Sequence, residues 1–156
     1  MDNDDLLRPT LSEYRQVPAI YSSTGFFLSS FFGGPVGAAF FGLCNSQRLG
    51  RLWHDLPVIL ASASGAFFVI FLLHSGGQMP RVAELIGADD RRALEITLRA
   101  LALAVFGAIY LLHRKFFRAA RVSGTEPLAS WVPGIASVLL GFWANTAFIN
   151  WILAHH

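Results

Sequence analysis

LPVILASASGAFFVIFLLH, residues 56–74, carries no charged side chain from end to end. A helix on the surface of a soluble protein alternates an apolar stripe with a polar face, whereas this run is apolar or small on every side. Its length is close to the roughly 20 residues a helix needs to cross a bilayer. Apolar stretches of similar length occupy residues 22–44, 96–113 and 131–154. The composition agrees: of 156 residues, 54% are hydrophobic and 14% charged. Mean hydropathy is +0.49. A chain this short cannot hide four such segments in a water-soluble core. The expected fold is all-α: a polytopic integral membrane protein with four transmembrane helices in a compact bundle, one domain over residues 1–156, with a polar loop at 75–95.

The first stretch opens at Ser22 or Ser23, whose hydroxyl suits an N-cap. Its middle reads Phe32-Gly33-Gly34-Pro35. Proline removes a backbone donor and disfavours helical geometry in the residue before it, so Gly33, Gly34 and Pro35 mark a helix break at mid-membrane. Broken helices at that depth build ion and substrate sites in many transporters; the plainer expectation is a packing kink. Small residues recur at helical spacing: Ser30, Gly34, Ala38 and Gly42; Ala61 and Gly65; Ala100, Ala104 and Ala108; Ser137, Gly141 and Asn145. In lipid such stripes let helix backbones approach closely. Phe26, Phe27, Phe31, Phe40, Phe67 and Phe71 are then left to face lipid or a partner.

Residues 75–95 are the most polar part of the chain. Pro80 suits the first turn of a short helix ending near Ile86, and Asp89 or Asp90 starts a long helix continuing to Arg121. Arg91, Glu95 and Arg99 follow one another at i, i+4 on that helix. Arg81 and Arg91 are therefore candidate partner contacts, against the plainer reading of a solvated face. Beyond His113, cations alternate with aromatics, so Arg114, Lys115, Arg118 and Arg121 read as anchors at a lipid headgroup interface. The polar groups of the last stretch are Asn145, Thr146 and Asn150. Asn145 lies on the small-residue stripe and suits an interhelical hydrogen bond, while Asn150, on another face, is a candidate contact for a ligand or second protein.

Other chemistries lack their residue patterns. The single cysteine, Cys44, offers no disulfide or redox pair. The histidines fall at the ends of the apolar stretches, where they suit amphipathic interface positions, and none has ligand spacing to carboxylates or thiols, so neither metal nor cofactor is expected. No nucleophile elbow, zincin signature or phosphate loop is present, and His54-Asp55 has no nucleophile that sequence can place beside it, so no enzyme is expected. The basic balance, with a sequence pI near 9.1, fits arginines snorkelling to phosphates rather than nucleic-acid binding. Residues 1–21 do not have the layout of a removable signal peptide.

Tyr21-Ser22, then Phe32-Gly33-Gly34-Pro35-Val36-Gly37-Ala38, then Asn45-Ser46-Gln47-Arg48-Leu49-Gly50 resembles a pattern in small bacterial multi-pass inner-membrane proteins of uncharacterised function. There a tyrosine-serine start precedes an FxGGP-type helix that ends in an asparagine and an RLG turn. The resemblance covers the first third of the chain. It implies the bacterial inner membrane as the location and carries no activity.

With four straight spans, both chain ends and the 75–95 loop share one side. Arg8, Arg15, Arg81, Arg91, Arg92 and Arg99 on that side nearly balance Arg48, Arg51, Arg114, Lys115, Arg118 and Arg121 on the other. Acids gather on the first side, which favours chain ends outside the cytoplasm. The leading functional expectation is a non-enzymatic membrane protein that binds another membrane component, as an accessory subunit or an immunity-type protector. Its partners are then membrane lipids and a membrane protein or a second copy of itself. The alternatives are a small transporter or channel protomer that oligomerises, motivated by the Gly33-Gly34-Pro35 break, and a lipid- or quinone-binding protein, motivated by Trp143, Trp151 and the basic-aromatic segment after His113.

Overall fold

The computed structural model describes residues 19–155, most of which fall in the helices α1 (Ser23–Arg48), α2 (Leu52–Ser75), α3 (Met79–Ile86), α4 (Asp90–Val122) and α5 (Trp131–Ala154). The described residues contain no strand; Tyr21 and Leu128 form an isolated parallel bridge. α1, α2, α4 and α5 are each long and apolar enough to cross a membrane. Arg8 and Arg15, counted above for topology, lie outside the described residues.

α1 is not straight. Gly34 has φ 66° and ψ −160°, far from helical values, and Pro35 follows it. The two arms, residues 23–33 and 35–48, fold against each other. Phe26 stacks on Phe41 with ring centroids 5.4 Å apart. In one continuous helix these residues would be separated by about 22 Å along the axis. Three further contacts close the base of the hairpin. The Tyr21 amide donates to Asn45 Oδ1 at 2.9 Å, the Tyr21 ring meets Phe41 edge-on at 5.7 Å, and the Arg48 guanidinium lies 5.8 Å from the Tyr21 ring centre. Midway along, Gly37 passes so near Ser29 that a β-carbon would stand 2.7 Å from the Ser29 carbonyl oxygen. The first arm rises roughly 16 Å. That is about half of a hydrocarbon core roughly 30 Å thick, so the turn sits near mid-depth.

The hairpin is the centre of the molecule. Its first arm runs parallel to α5, with Gly25 against Ser130 and Gly33 against Ser137. Its second arm runs beside α4, with Gly42 against Ile109 and Ser46 bonded to His113. Phe26, Ala38 and Phe41 from both arms join Ile59 and Ala63 of α2 and Val105 and Ile109 of α4 in one buried cluster. A second cluster lies towards the opposite side, where Met79 and Ala83 of α3 pack with Ile70, Leu94, Leu98, Ile149 and Ile152. α3 has Pro80 in its first turn and stops at Gly87 in the left-handed conformation, φ 69°.

Two sides follow. The hairpin side holds both ends of α1, the start of α2, the end of α4 and the start of α5; the α3 side holds their opposite ends. This corrects the expected topology: the first described residues lie on the hairpin side and His155 on the α3 side. It also divides the first small-residue stripe, since Gly34 meets Asn145 on α5 while Gly42 meets Ile109 on α4. Ala100, Ala104 and Ala108 face outward, and α4 buries Leu94, Leu98, Ala102, Val105, Ile109 and His113 instead. Phe26, expected at the lipid face, is wholly buried because the second arm covers it.

Candidate functional site

The turn of the hairpin is seated in a notch on α5. A β-carbon on Gly33 would stand 2.7 Å from the Ser137 carbonyl oxygen, and Gly141 lies so close to the Gly33 carbonyl that no side chain fits there. Asn145 Nδ2 donates to that same carbonyl at 3.2 Å. A backbone polar group released at mid-membrane needs a partner, and Asn145 supplies it. Gly34 abuts the Asn145 amide, so its positive φ and its surroundings both demand glycine. The stripe Ser137, Gly141, Asn145 is therefore a seat for the broken segment.

Above the turn, towards the α3 side, a cleft of about 110 Å³ is lined by Phe32 and Gly34 of α1, Arg91, Glu95 and Arg99 of α4, and Asn145 of α5, among others. Arg91 Nε lies 3.5 Å from Glu95 Oε1. Arg99 has no ion-pair partner among the described residues, which leaves the cleft with an excess of positive charge. The first arm ends and the second begins at the same turn, so the opposite ends of their helix dipoles offset each other there and the charge of the cleft comes from its side chains. The cleft thus sets the Arg99 guanidinium close to the backbone of the turn.

On the hairpin side a second polar group lies between α1, α2 and α4. Asp55, His113 and Ser46 are all fully buried. His113 Nε2 is 3.1 Å from Asp55 Oδ2 and 3.0 Å from Ser46 Oγ. The other carboxylate oxygen of Asp55 is 3.1 Å from His54 Nδ1 and 3.5 Å from Arg51. His113 Nδ1 is buried with no hydrogen-bond partner among the described residues. Ser46 and Asp55 meet the same ring nitrogen, whereas a nucleophile, base and orienting acid in series would use opposite nitrogens. The arrangement suits holding or passing a proton, not activating the serine.

Of the candidates read from sequence, the structure brings Gly33, Gly34, Pro35, Arg91 and Asn145 together at the turn and its cleft. Arg81 lies on α3, bonded to Gln78 Oε1 at 3.3 Å, and Asn150 is exposed on α5; neither reaches the cleft. Arg114, Lys115, Arg118 and Arg121 are exposed along the last turns of α4 on the hairpin side. Arg99 was read from sequence as part of the Arg91-Glu95-Arg99 face of α4, not as a residue of a cleft at the turn. Asp55, His113 and Ser46 were not gathered by sequence reasoning, because they fall on separate helices and Asp55 was set outside the second span. α2 in fact starts at Leu52 and buries Asp55 in its first turn. The described residues offer no group of three or more His, Cys, Asp or Glu placed to hold a metal ion. Comparison with known proteins finds no matching family model, no similar curated protein and no similar solved structure.

Proposed function

We propose that this protein moves small anions across a bacterial inner membrane, with the turn at Gly33-Gly34-Pro35 as its selecting element. One observation carries the reading: an apolar helix doubles back at mid-depth beneath a cleft where Arg99 has no ion-pair partner among the described residues. Irregular backbone at that depth is tolerated where it is buried in protein or lines a cavity, and here it does both. The reading is non-enzymatic and needs no cofactor. Membrane lipids surround the bundle, with Arg114, Lys115, Arg118 and Arg121 at the headgroups. Below the turn the arms are sealed by Phe26 on Phe41, so passage requires the hairpin to shift between two positions, as broken-helix transporters do.

The test is flux in vesicles of purified protein, with chloride, nitrate and formate as probes and potassium as the cation control. The wild type should admit anions and exclude potassium. With Glu95 matched by Arg91, Arg99 supplies the cleft's net positive charge, and a positive cleft raises local anion concentration by roughly tenfold or more, so Arg99→Ala should lower anion flux by about that factor while the folded yield stays unchanged. Absence of anion flux in the wild type, or undiminished flux in Arg99→Ala, would contradict the proposal.

A further inference from the structure

We infer that Asp55 and His113 form a proton-binding site that couples proton movement to anion movement. The inference rests on the transport reading above and adds to it the coupling ion and its route.

Both groups are fully buried, and they come from different helices. They share one hydrogen bond of 3.1 Å. A titratable pair held away from water between apolar helices is kept where a proton must be carried or an arrangement switched. His113 Nδ1 is the open position of this pair: buried, aimed at no partner among the described residues, and able to hold either a lone pair or a proton. A change in protonation there changes what Nε2 offers to Asp55 and to Ser46.

A route to water is present. The His54 side chain is 72% exposed on the hairpin side, and its Nδ1 lies 3.1 Å from Asp55 Oδ1. Asp55 then bonds His113 through its other oxygen. His54 Nδ1 also lies 3.1 Å from Arg51 Nη2, which can only donate, so it donates to Asp55 once Arg51 turns aside; His54, Asp55 and His113 then form a chain of two hydrogen bonds from solvent to the buried ring, each within proton-transfer reach. A proton taken from water by His54 passes to Asp55 and is shared with His113. The site gains one proton and one positive charge, and returns both when the proton leaves. The charged and titratable groups facing the pair are His54 and Arg51 from the start of α2; α1 contributes the Ser46 hydroxyl and α4 contributes His113 itself.

The link to the anion cleft is mechanical. Ser46 lies two residues before the end of the second arm, and Pro35 at the other end of that arm forms the turn. An unbroken helical segment joins them, so a shift of Ser46 relative to His113 is transmitted to Gly34 and the cleft. Cleft and proton site lie towards opposite sides of the molecule, with the second arm between them.

The experiment loads vesicles with a pH-sensitive dye and imposes a gradient of chloride or formate with the membrane potential clamped. Internal pH and anion content are both followed, for the wild type, Asp55→Asn and His54→Ala. The wild type should move protons with the anion. Asp55→Asn should still exchange anions across equal concentrations but lose the accompanying proton movement. His54→Ala, a change at an exposed position that leaves the core intact, should slow proton movement by about tenfold or more, the scale lost with a positioned acid or base. Proton movement unchanged in His54→Ala and Asp55→Asn, or wild-type anion flux without protons, overturns the coupling and leaves the transport reading standing. Absence of any wild-type anion flux removes both. If Asp55→Asn does not fold, His54→Ala decides.

Discussion

Gly34 and Asn145 carry the heaviest local constraints. Gly34 adopts φ 66° with ψ −160°, a region essentially restricted to glycine, and a β-carbon there would run into the Asn145 amide. Asn145 in turn satisfies the Gly33 carbonyl. Removing it leaves a buried acceptor unpaired, so Asn145→Ala should cost about 1–3 kcal/mol in an SDS-unfolding titration. Gly34→Ala should lose the hairpin altogether and appear as a fall in folded yield. A tolerated Gly34→Ala would mean that the turn is not formed as described. The sequence made glycine and proline at 33–35 legible as a break, since proline cannot donate and glycine alone accepts positive φ. The extent of the bend was not legible, because the same residues serve a shallow kink or a full reversal. That choice is made by partners far along the chain: Ser137, Gly141 and Asn145 seat the turn, and Asn45 receives the Tyr21 amide.

At the scale of elements, the α1 hairpin replaces one long helix with two half-length arms whose faces complement each other. Phe26 and Phe41 are both fully buried and stacked, so their contributions should be coupled. A double-mutant cycle with Phe26→Ala and Phe41→Ala, read by SDS unfolding, should return a coupling of about 0.5–1.5 kcal/mol. Additive effects, as expected for residues on one straight helix and far apart, would count against the fold-back. Hydropathy reads this element poorly, since two apolar half-helices and one transmembrane helix present the same run of residues. α2 and α5 read well because nothing interrupts them. Asp55 was misplaced for a related reason: a span drawn to exclude charge ends at Leu56, yet the helix continues to Leu52 because His113, Arg51 and His54 satisfy the carboxylate.

The whole molecule has an asymmetry that the straight-helix reading concealed. With α1 folded back, Arg48, Arg51, Arg114, Lys115, Arg118 and Arg121 lie on the hairpin side, and Arg81, Arg91, Arg92 and Arg99 on the α3 side. By the positive-inside rule, this balance of six cations to four is the basis on which we propose the hairpin side as the cytoplasmic one. The cleft at Arg99 and the Asp55–His113 pair lie towards opposite sides, and the second arm of the hairpin runs between them. Everything proposed for function depends on that hairpin, so the most direct measurement is side-specific labelling in inverted and right-side-out membrane vesicles. Single cysteines at Ser23, Gln47 and Gln78, each in a Cys44→Ser background, would be reacted with a membrane-impermeant maleimide. A reversal at Gly34 requires Ser23→Cys and Gln47→Cys to label from one side and Gln78→Cys from the other. Labelling of Ser23→Cys together with Gln78→Cys, on the side opposite Gln47→Cys, would show a straight first span and contradict the account.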